Sequence, residues 1–104
     1  MDRLFQALAD ATRRDIVRRV LAGEHSITDL ARRYPMSMTA VQKHVAVLEE
    51  AGLVRKEAAG RERLVRAVPE EIARARACLD QLEALWRHRL TALDAVLTQT
   101  PQEE

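Results

Sequence analysis

The sequence predicts a mainly helical domain that carries one small β-hairpin. Apolar residues recur at helical spacing along most of the chain, and capping residues, glycines and prolines mark where each helix begins or ends. Two short β-prone runs flank a glycine-containing loop at residues 58–61. The 104 residues fit one domain. We expect it to span residues 1–98, followed by a disordered tail at 99–104.

Two helices open the chain. The first is predicted over residues 2–9 and the second over about 11–22. Asp10 is a suitable N-cap for the second helix, and Gly23 ends it. Their apolar sides comprise Leu4, Phe5, Leu8, Ile16, Val17, Val20 and Leu21.

A tight turn separates the next two helices. Ser26 and Asp29 fit a capping box that begins a short helix at about 27–33. Pro35 breaks this helix, because the residue before a proline is pushed out of helical geometry. Ser37 then caps a longer helix over about 38–51. The residues of this helix expected to face inward are Val41, Val45 and Leu48.

The remaining elements are a hairpin and a long helix. Strands are predicted at 53–57 and 62–68, and Pro69 starts a helix that runs from 70 to about 98. At 1.5 Å per residue this helix would be roughly 40 Å long, more than one small domain needs to cover its own core. We therefore expect a homodimer joined by the terminal helices. The predicted dimerisation residues are Leu4, Phe5, Leu79, Leu82, Trp86, Leu90 and Leu93.

Two short helices followed by a hairpin form a winged helix-turn-helix, here over residues 26–67. In this motif the first helix braces the second, which lies in the major groove of DNA. Thr39, Gln42 and Lys43 project away from the apolar stripe of the second helix. Gln can bond adenine, Lys guanine or a phosphate, and Thr a polar base edge or a thymine methyl.

The charge distribution agrees with a nucleic-acid partner. The chain has a net charge of only +1, but residues 32–66 hold eight basic and four acidic residues, a balance of +4. Arg61 and Arg63 lie where a wing would reach flanking phosphates or the minor groove. His44 is either a phosphate contact or a half-buried bracing residue. The predicted DNA-binding residues are Ser37, Thr39, Ala40, Gln42, Lys43, His44, Arg61 and Arg63.

Several segments resemble the ArsR/SmtB family of bacterial repressors. They are Ala7–Arg14, Met36–His44, Val47–Val54 and Gly60–Arg63. The resemblance covers about residues 3–97 and implies a homodimer that binds inverted repeats in promoters and usually represses. The tail Trp86–Leu90 resembles a subgroup without metal sites.

Metal-sensing relatives differ from this chain at their ligand positions. Where one family site has paired cysteines, the matching positions here are Ser26 and Thr28. The terminal helix holds His88, with Asp80 and Asp94 too scattered to complete a site of three or four converging ligands. Cys78, the one cysteine, is best explained as a small buried apolar residue. We therefore expect neither a metal nor another cofactor.

Other functions are less favoured. No nucleophile–base pair or glycine-rich phosphate loop suggests an enzyme. One alternative is a repressor that responds to a small hydrophobic effector near Trp86 or, less readily, to a metal. Another is a winged-helix module for protein interaction with weak DNA binding.

Arg13 and Arg14 could touch phosphates, whereas Arg18 and Arg19 are expected on a solvated face. Without a signal peptide or membrane span, a cytoplasmic location is expected.

Overall fold

A computed structural model describes residues 2–99 of the chain. It confirms the predicted mainly helical fold with a small antiparallel hairpin. The elements in chain order are α1 (Asp2–Leu8), α2 (Ala11–Ala22), β1 (His25–Ser26), α3 (Ile27–Ala31), α4 (Met38–Glu50), β2 (Val54–Ala59), β3 (Glu62–Ala67) and α5 (Pro69–Gln99). Apart from Gln99, which ends α5, the predicted tail lies outside the described residues.

The sheet contains a strand that the sequence analysis missed. The strand β1 pairs antiparallel with β3, with Ser26 opposite Leu64, so the strand order is β1-β3-β2. In the hairpin, Ala59 lies opposite Glu62, which leaves only two residues in the loop. Gly60 takes the first loop position with φ +64, a conformation that favours glycine and fits a type II′ turn. The strand β2 therefore runs two residues further than predicted.

The core lies between the first four helices and the sheet. Its largest fully buried side chains are Ile16, Leu30, Val41, Val45, Leu48, Leu53, Val54 and Val65. Leu4 is also in this core, only 2% exposed. This corrects the expectation that it lies at a dimer interface, because α1 turns that side chain inward.

The helix α5 contributes to the core only near its start. Ala75 is buried and Ile72 packs against the core, but from Arg76 to Thr98 every residue except the half-buried Cys78 is exposed. The molecule is 78 Å long and 26 Å wide, because this 31-residue helix continues past the globular part. No helix among residues 2–99 is both long and apolar enough to cross a membrane.

Candidate nucleic-acid interface

The first helix of the helix-turn-helix is fixed by the predicted capping box. The Ser26 hydroxyl accepts a hydrogen bond from the backbone N–H of Asp29 at 3.0 Å, and the Asp29 carboxylate accepts one from the N–H of Ser26 at 3.1 Å. The bond from the Ser26 backbone holds the pKa of the Asp29 carboxyl below its usual value. Because Ser26 also pairs in β1, it ties the start of α3 to the sheet.

The turn between α3 and α4 is anchored to α2 by Asp15. The Tyr34 hydroxyl donates to Asp15 Oδ2 at 2.6 Å, and Arg19 Nε donates to the same oxygen at 2.8 Å. Both bonds lower the pKa of Asp15, from 3.8 to about 2, and the bond from Tyr34 has the larger effect. The Arg19 guanidinium also lies 5.8 Å from the centre of the Tyr34 ring. Sequence reasoning missed this anchor, although the one tyrosine of the chain directly precedes Pro35.

The second helix, α4, has one buried and one exposed side. The Ser37 hydroxyl caps it by accepting from the N–H of Ala40 at 3.1 Å. On the opposite side, Thr39, Gln42 and Lys43 are exposed, and we call these three residues the reading face. Ser37 is exposed as well, whereas Ala40 and His44 are half-buried. The side that packs on the core consists of Val41, Val45 and Leu48.

A cleft of about 400 Å³ separates the reading face from the hairpin. Lys56 was not predicted here, yet it faces this cleft and lies 3.6 Å from Glu49. The alternation of side chains along a strand could have indicated it, since Lys56 is two residues from the buried Val54. We call this feature the basic cleft; its lining is Ile27, Thr39, Gln42, Lys43, Ala46, Lys56 and Arg63.

The arginines of the hairpin fall into two groups. Arg66 lies 3.1 Å from Glu24 and 3.6 Å from Glu57, and Arg55 lies 3.8 Å from Glu57. By contrast, Arg61 at the loop and Arg63 in the basic cleft are exposed and form no ion pair with another residue between 2 and 99. The unpaired cations thus lie on the cleft side and at the tip, where phosphates could approach.

The arginines of α2 have structural partners. Arg18 and Arg19 both pair with Asp15 of the same helix; Arg18 is exposed, as expected for a solvated face, whereas Arg19 is half-buried. Arg13 and Arg14 donate to carbonyl groups at the end of α1. Arg13, Arg14 and Arg19 therefore hold α2 to its neighbours, whereas the ion pair of Arg18 lies within α2.

The candidate metal positions do not converge. Within residues 2–99, no group of three or more His, Cys, Asp or Glu side chains is placed to hold an ion. Cys78 is half-buried and not in the core, which corrects the expectation of a buried residue.

Comparison with known proteins agrees with this geometry. A family described as helix-turn-helix domain matches residues 8–57. The chain is 42% identical over 90 residues to the HTH-type transcriptional regulator Rv2034 of Mycobacterium tuberculosis, covering 86% of this chain and 81% of that protein.

Two solved structures extend the comparison. An ArsR-like transcriptional regulator from Rhodococcus sp. RHA1 superposes with a TM-score of 0.84 at 32% identity, covering 95% of this chain and 91% of that one. The homodimeric winged helix-turn-helix DNA-binding domain of Mb0332 from Mycobacterium bovis gives a TM-score of 0.65 at 25% identity, covering 80% and 77%. The chain belongs to the ArsR family of winged helix-turn-helix, DNA-binding transcriptional regulators.

Proposed function

We propose that this protein is a homodimeric repressor that binds an inverted-repeat operator. In this proposal α4 enters the major groove, and the hairpin β2–β3 contacts the flanking backbone or the minor groove. The two half-sites lie about one helical turn, roughly 34 Å, apart.

The observation that carries the proposal is the reading face beside the basic cleft. Its three side chains are exposed above a completely buried stripe, so α4 can present them to bases without losing its packing on the core. Lys43, Lys56 and Arg63 bring three cations to the lining of this cleft, a charge that favours a phosphate backbone over a neutral partner.

The exposed surface of α5 supports the homodimer. We call five exposed residues along one side of this helix the apolar stripe: Leu79, Leu82, Trp86, Leu90 and Leu93, each between 44% and 58% exposed in the single chain. Such a contiguous apolar surface is typical of an interface. Phe5 of α1 is exposed too. The homodimeric state of the Mb0332 domain supports the same arrangement here.

A repressor role fits a dimer of this kind. The chain combines the reading face of α4 with the apolar stripe of α5. A dimer bound to a promoter would exclude polymerase by occupying the site. We therefore propose repression.

The direct test is a binding-site selection followed by a variant comparison. Gln42→Ala/Lys43→Ala should lower affinity for the selected operator by at least about 30-fold, because each good base contact contributes about 1–3 kcal/mol of discrimination. The matched control Arg76→Ala/Gln81→Ala removes one cation and one amide from the exposed side of α5 and should bind normally. If the α4 variant protects the operator normally in footprinting, the assignment of the reading face is wrong.

Salt dependence separates DNA binding from a protein-interaction role. Affinity should fall steeply with salt, since each neutralised phosphate releases counterions. A wild-type protein that selects no sequence and shows no salt-sensitive binding would instead support an interaction module.

A second candidate is control of this repressor by a small hydrophobic effector. An apolar groove of about 490 Å³ lies between α1, α2 and the start of α5 and is lined by Leu8, Val17, Leu21, Ala22, Ile72, Arg14 and Arg18. A thermal-shift screen of small hydrophobic compounds and divalent metals tests this candidate. A compound that raises Tm and releases the operator would support it, and strong stabilisation by zinc with release of DNA would contradict the metal-free proposal.

A further inference from the structure

Arg13 closes the end of α1 from the neighbouring helix. Its Nε donates to the carbonyl of Ala7 at 2.7 Å, and its Nη2 donates to the carbonyl of Gln6 at 3.1 Å. The last carbonyls of a helix have no partner within it, so a forked guanidinium is well suited to bind two of them. One side chain of α2 thereby fixes where α1 ends.

The same guanidinium also reaches the recognition helix. Arg13 Nη1 lies 3.4 Å from Nδ1 of His44, a long contact but one that spans 31 positions of sequence. Arginine can only donate, so Nδ1 of His44 can only be the acceptor of a hydrogen bond between the two side chains. His44 is half-buried on α4 and directly follows Lys43 of the reading face.

Asp10 holds the arginine in this position. Its carboxylate caps α2 by accepting from the backbone N–H of Arg13 at 3.0 Å, and this bond lowers the pKa of Asp10. The charge of the Arg13 guanidinium lowers it further. One residue is thus fixed through its backbone and joined through its side chain to two different helices.

We infer that Arg13 is a positioning residue for DNA recognition, setting the orientation of α4 relative to α1. This inference rests on the proposed function, in which α1 with its exposed Phe5 belongs to the dimer interface. A residue that fixes α4 against α1 then determines how far apart, and at what angle, the two reading faces of a dimer lie. Arg13 would therefore determine which spacing between half-sites the protein prefers.

Arg14 provides a matched control within the same helix. It donates from Nη1 to the carbonyl of Leu8 at 2.8 Å, so it also caps the end of α1. The hydrogen bonds of Arg14 do not extend to α4 in the part of the chain that the structure describes. Replacing either arginine by glutamine removes the same charge and weakens the same helix end, but only the change at Arg13 also removes a contact with α4.

The test uses the full-length protein and a set of operators that differ only in the spacing between half-sites. The readout is the ratio of affinities for the best spacing and for spacings one base pair longer or shorter. Arg13→Gln should lower this ratio by about 2- to 30-fold, the range of coupling between connected sites. Arg14→Gln should leave the ratio unchanged, even though both variants lose some affinity for every operator.

The outcomes separate this inference from the proposed function. An equal ratio in both variants, with only a lower Tm for Arg13→Gln, would overturn the positioning role. Should Arg13→Gln fail to fold, His44→Leu decides the matter, since it removes the α4 end of the contact and leaves the cap on α1; an unchanged ratio would overturn the inference. A wild-type protein that prefers no spacing would overturn the proposed function, and the inference with it.

Discussion

Residues 2–75 and residues 76–98 differ in how far their apolar side chains are buried. In the first region, aliphatic residues from five helices and two strands meet in one core, and several of them are completely inaccessible to solvent. In the second, the apolar stripe of α5 is exposed along its whole length. Both regions contain helices with apolar residues at helical spacing, so the difference lies in what each region packs against.

This difference indicates which part of the protein has a core of its own. The radius of gyration is 20.6 Å, whereas a compact chain of this length would have about 13 Å. At about 25 cal/mol per Å² of buried apolar surface, covering the stripe would contribute several kcal/mol of stabilising free energy that a single chain lacks. We therefore regard residues 2–75 as the DNA-reading unit and residues 76–98 as the assembly helix.

The largest expected effect follows from placing charge in the apolar stripe. Trp86→Glu/Leu90→Glu should make the protein monomeric, as measured by sedimentation. Affinity for an inverted repeat should fall by at least about 100-fold, because the two half-sites are then bound separately. Circular dichroism should still show a folded protein, since neither residue belongs to the core.

The matched control places the same two charges on the other side of the helix. His88 and Thr91 are exposed and lie away from the stripe, since a helix turns about 100° per residue. His88→Glu/Thr91→Glu should remain dimeric. Loss of the dimer in both variants would mean that net charge, and not the stripe, controls assembly.

The second prediction contrasts one leucine from each region. Leu48→Ala leaves a cavity under α4 and should lower the free energy of unfolding by about 2–5 kcal/mol at every protein concentration. Leu93→Ala should lower Tm only at concentrations where the wild type is a dimer. Denaturant and thermal unfolding over a 100-fold range of concentration check both expectations. A Leu93→Ala effect that does not depend on concentration would assign that residue to the monomer core.

The third prediction concerns the anchor of the turn in the DNA-reading unit. Tyr34→Phe removes the bond to Asp15 but keeps the ring, and should cost about 1–2 kcal/mol of stability at pH 7. Folding lowers the pKa of Asp15 from 3.8 to about 2. Its carboxylate therefore stabilises the folded protein at pH values above 3.8, and this stabilisation is lost as the pH falls towards about 2. Urea unfolding at pH 7 and pH 3 should therefore show a smaller difference between variant and wild type at the lower pH. A difference that grows on acidification would contradict the role of Asp15.

The smallest expected effect is at the hairpin tip. Arg61→Ala should weaken binding only several-fold, similarly for all DNA sequences, and reduce the slope of log affinity against log salt by about 1. Arg55→Ala removes the same charge from the same hairpin, but Arg55 already has Glu57 beside it, so its effect should be smaller. Identical slopes for the two variants would argue against a specific contact by the tip.

Much of the fold could be predicted because its determinants are local. Ser26, Ser37 and Asp10 act as caps between residues three apart, and the break before Pro35 is a constraint on the adjacent peptide. The exposed side of α4 could be predicted from the helical spacing of the apolar residues that face the core, among them Val41.

What could not be predicted depends on contacts between distant positions. The strand β1 is only two residues long and exists because β3 is there to pair with it. Arg13 meets His44 across 31 positions, and Tyr34 meets Asp15 across 19, so no local pattern could indicate either contact. Leu4 was misplaced for the same reason, because the apolar side of a short helix does not say which neighbour it contacts.

The most direct test of the account is the mass of the protein, free and bound to its selected operator, by sedimentation. We predict two chains of 11.8 kDa in solution and two on each inverted repeat. A single chain that binds the operator at full affinity, with the apolar stripe of α5 left uncovered, would contradict the division into a reading unit and an assembly helix.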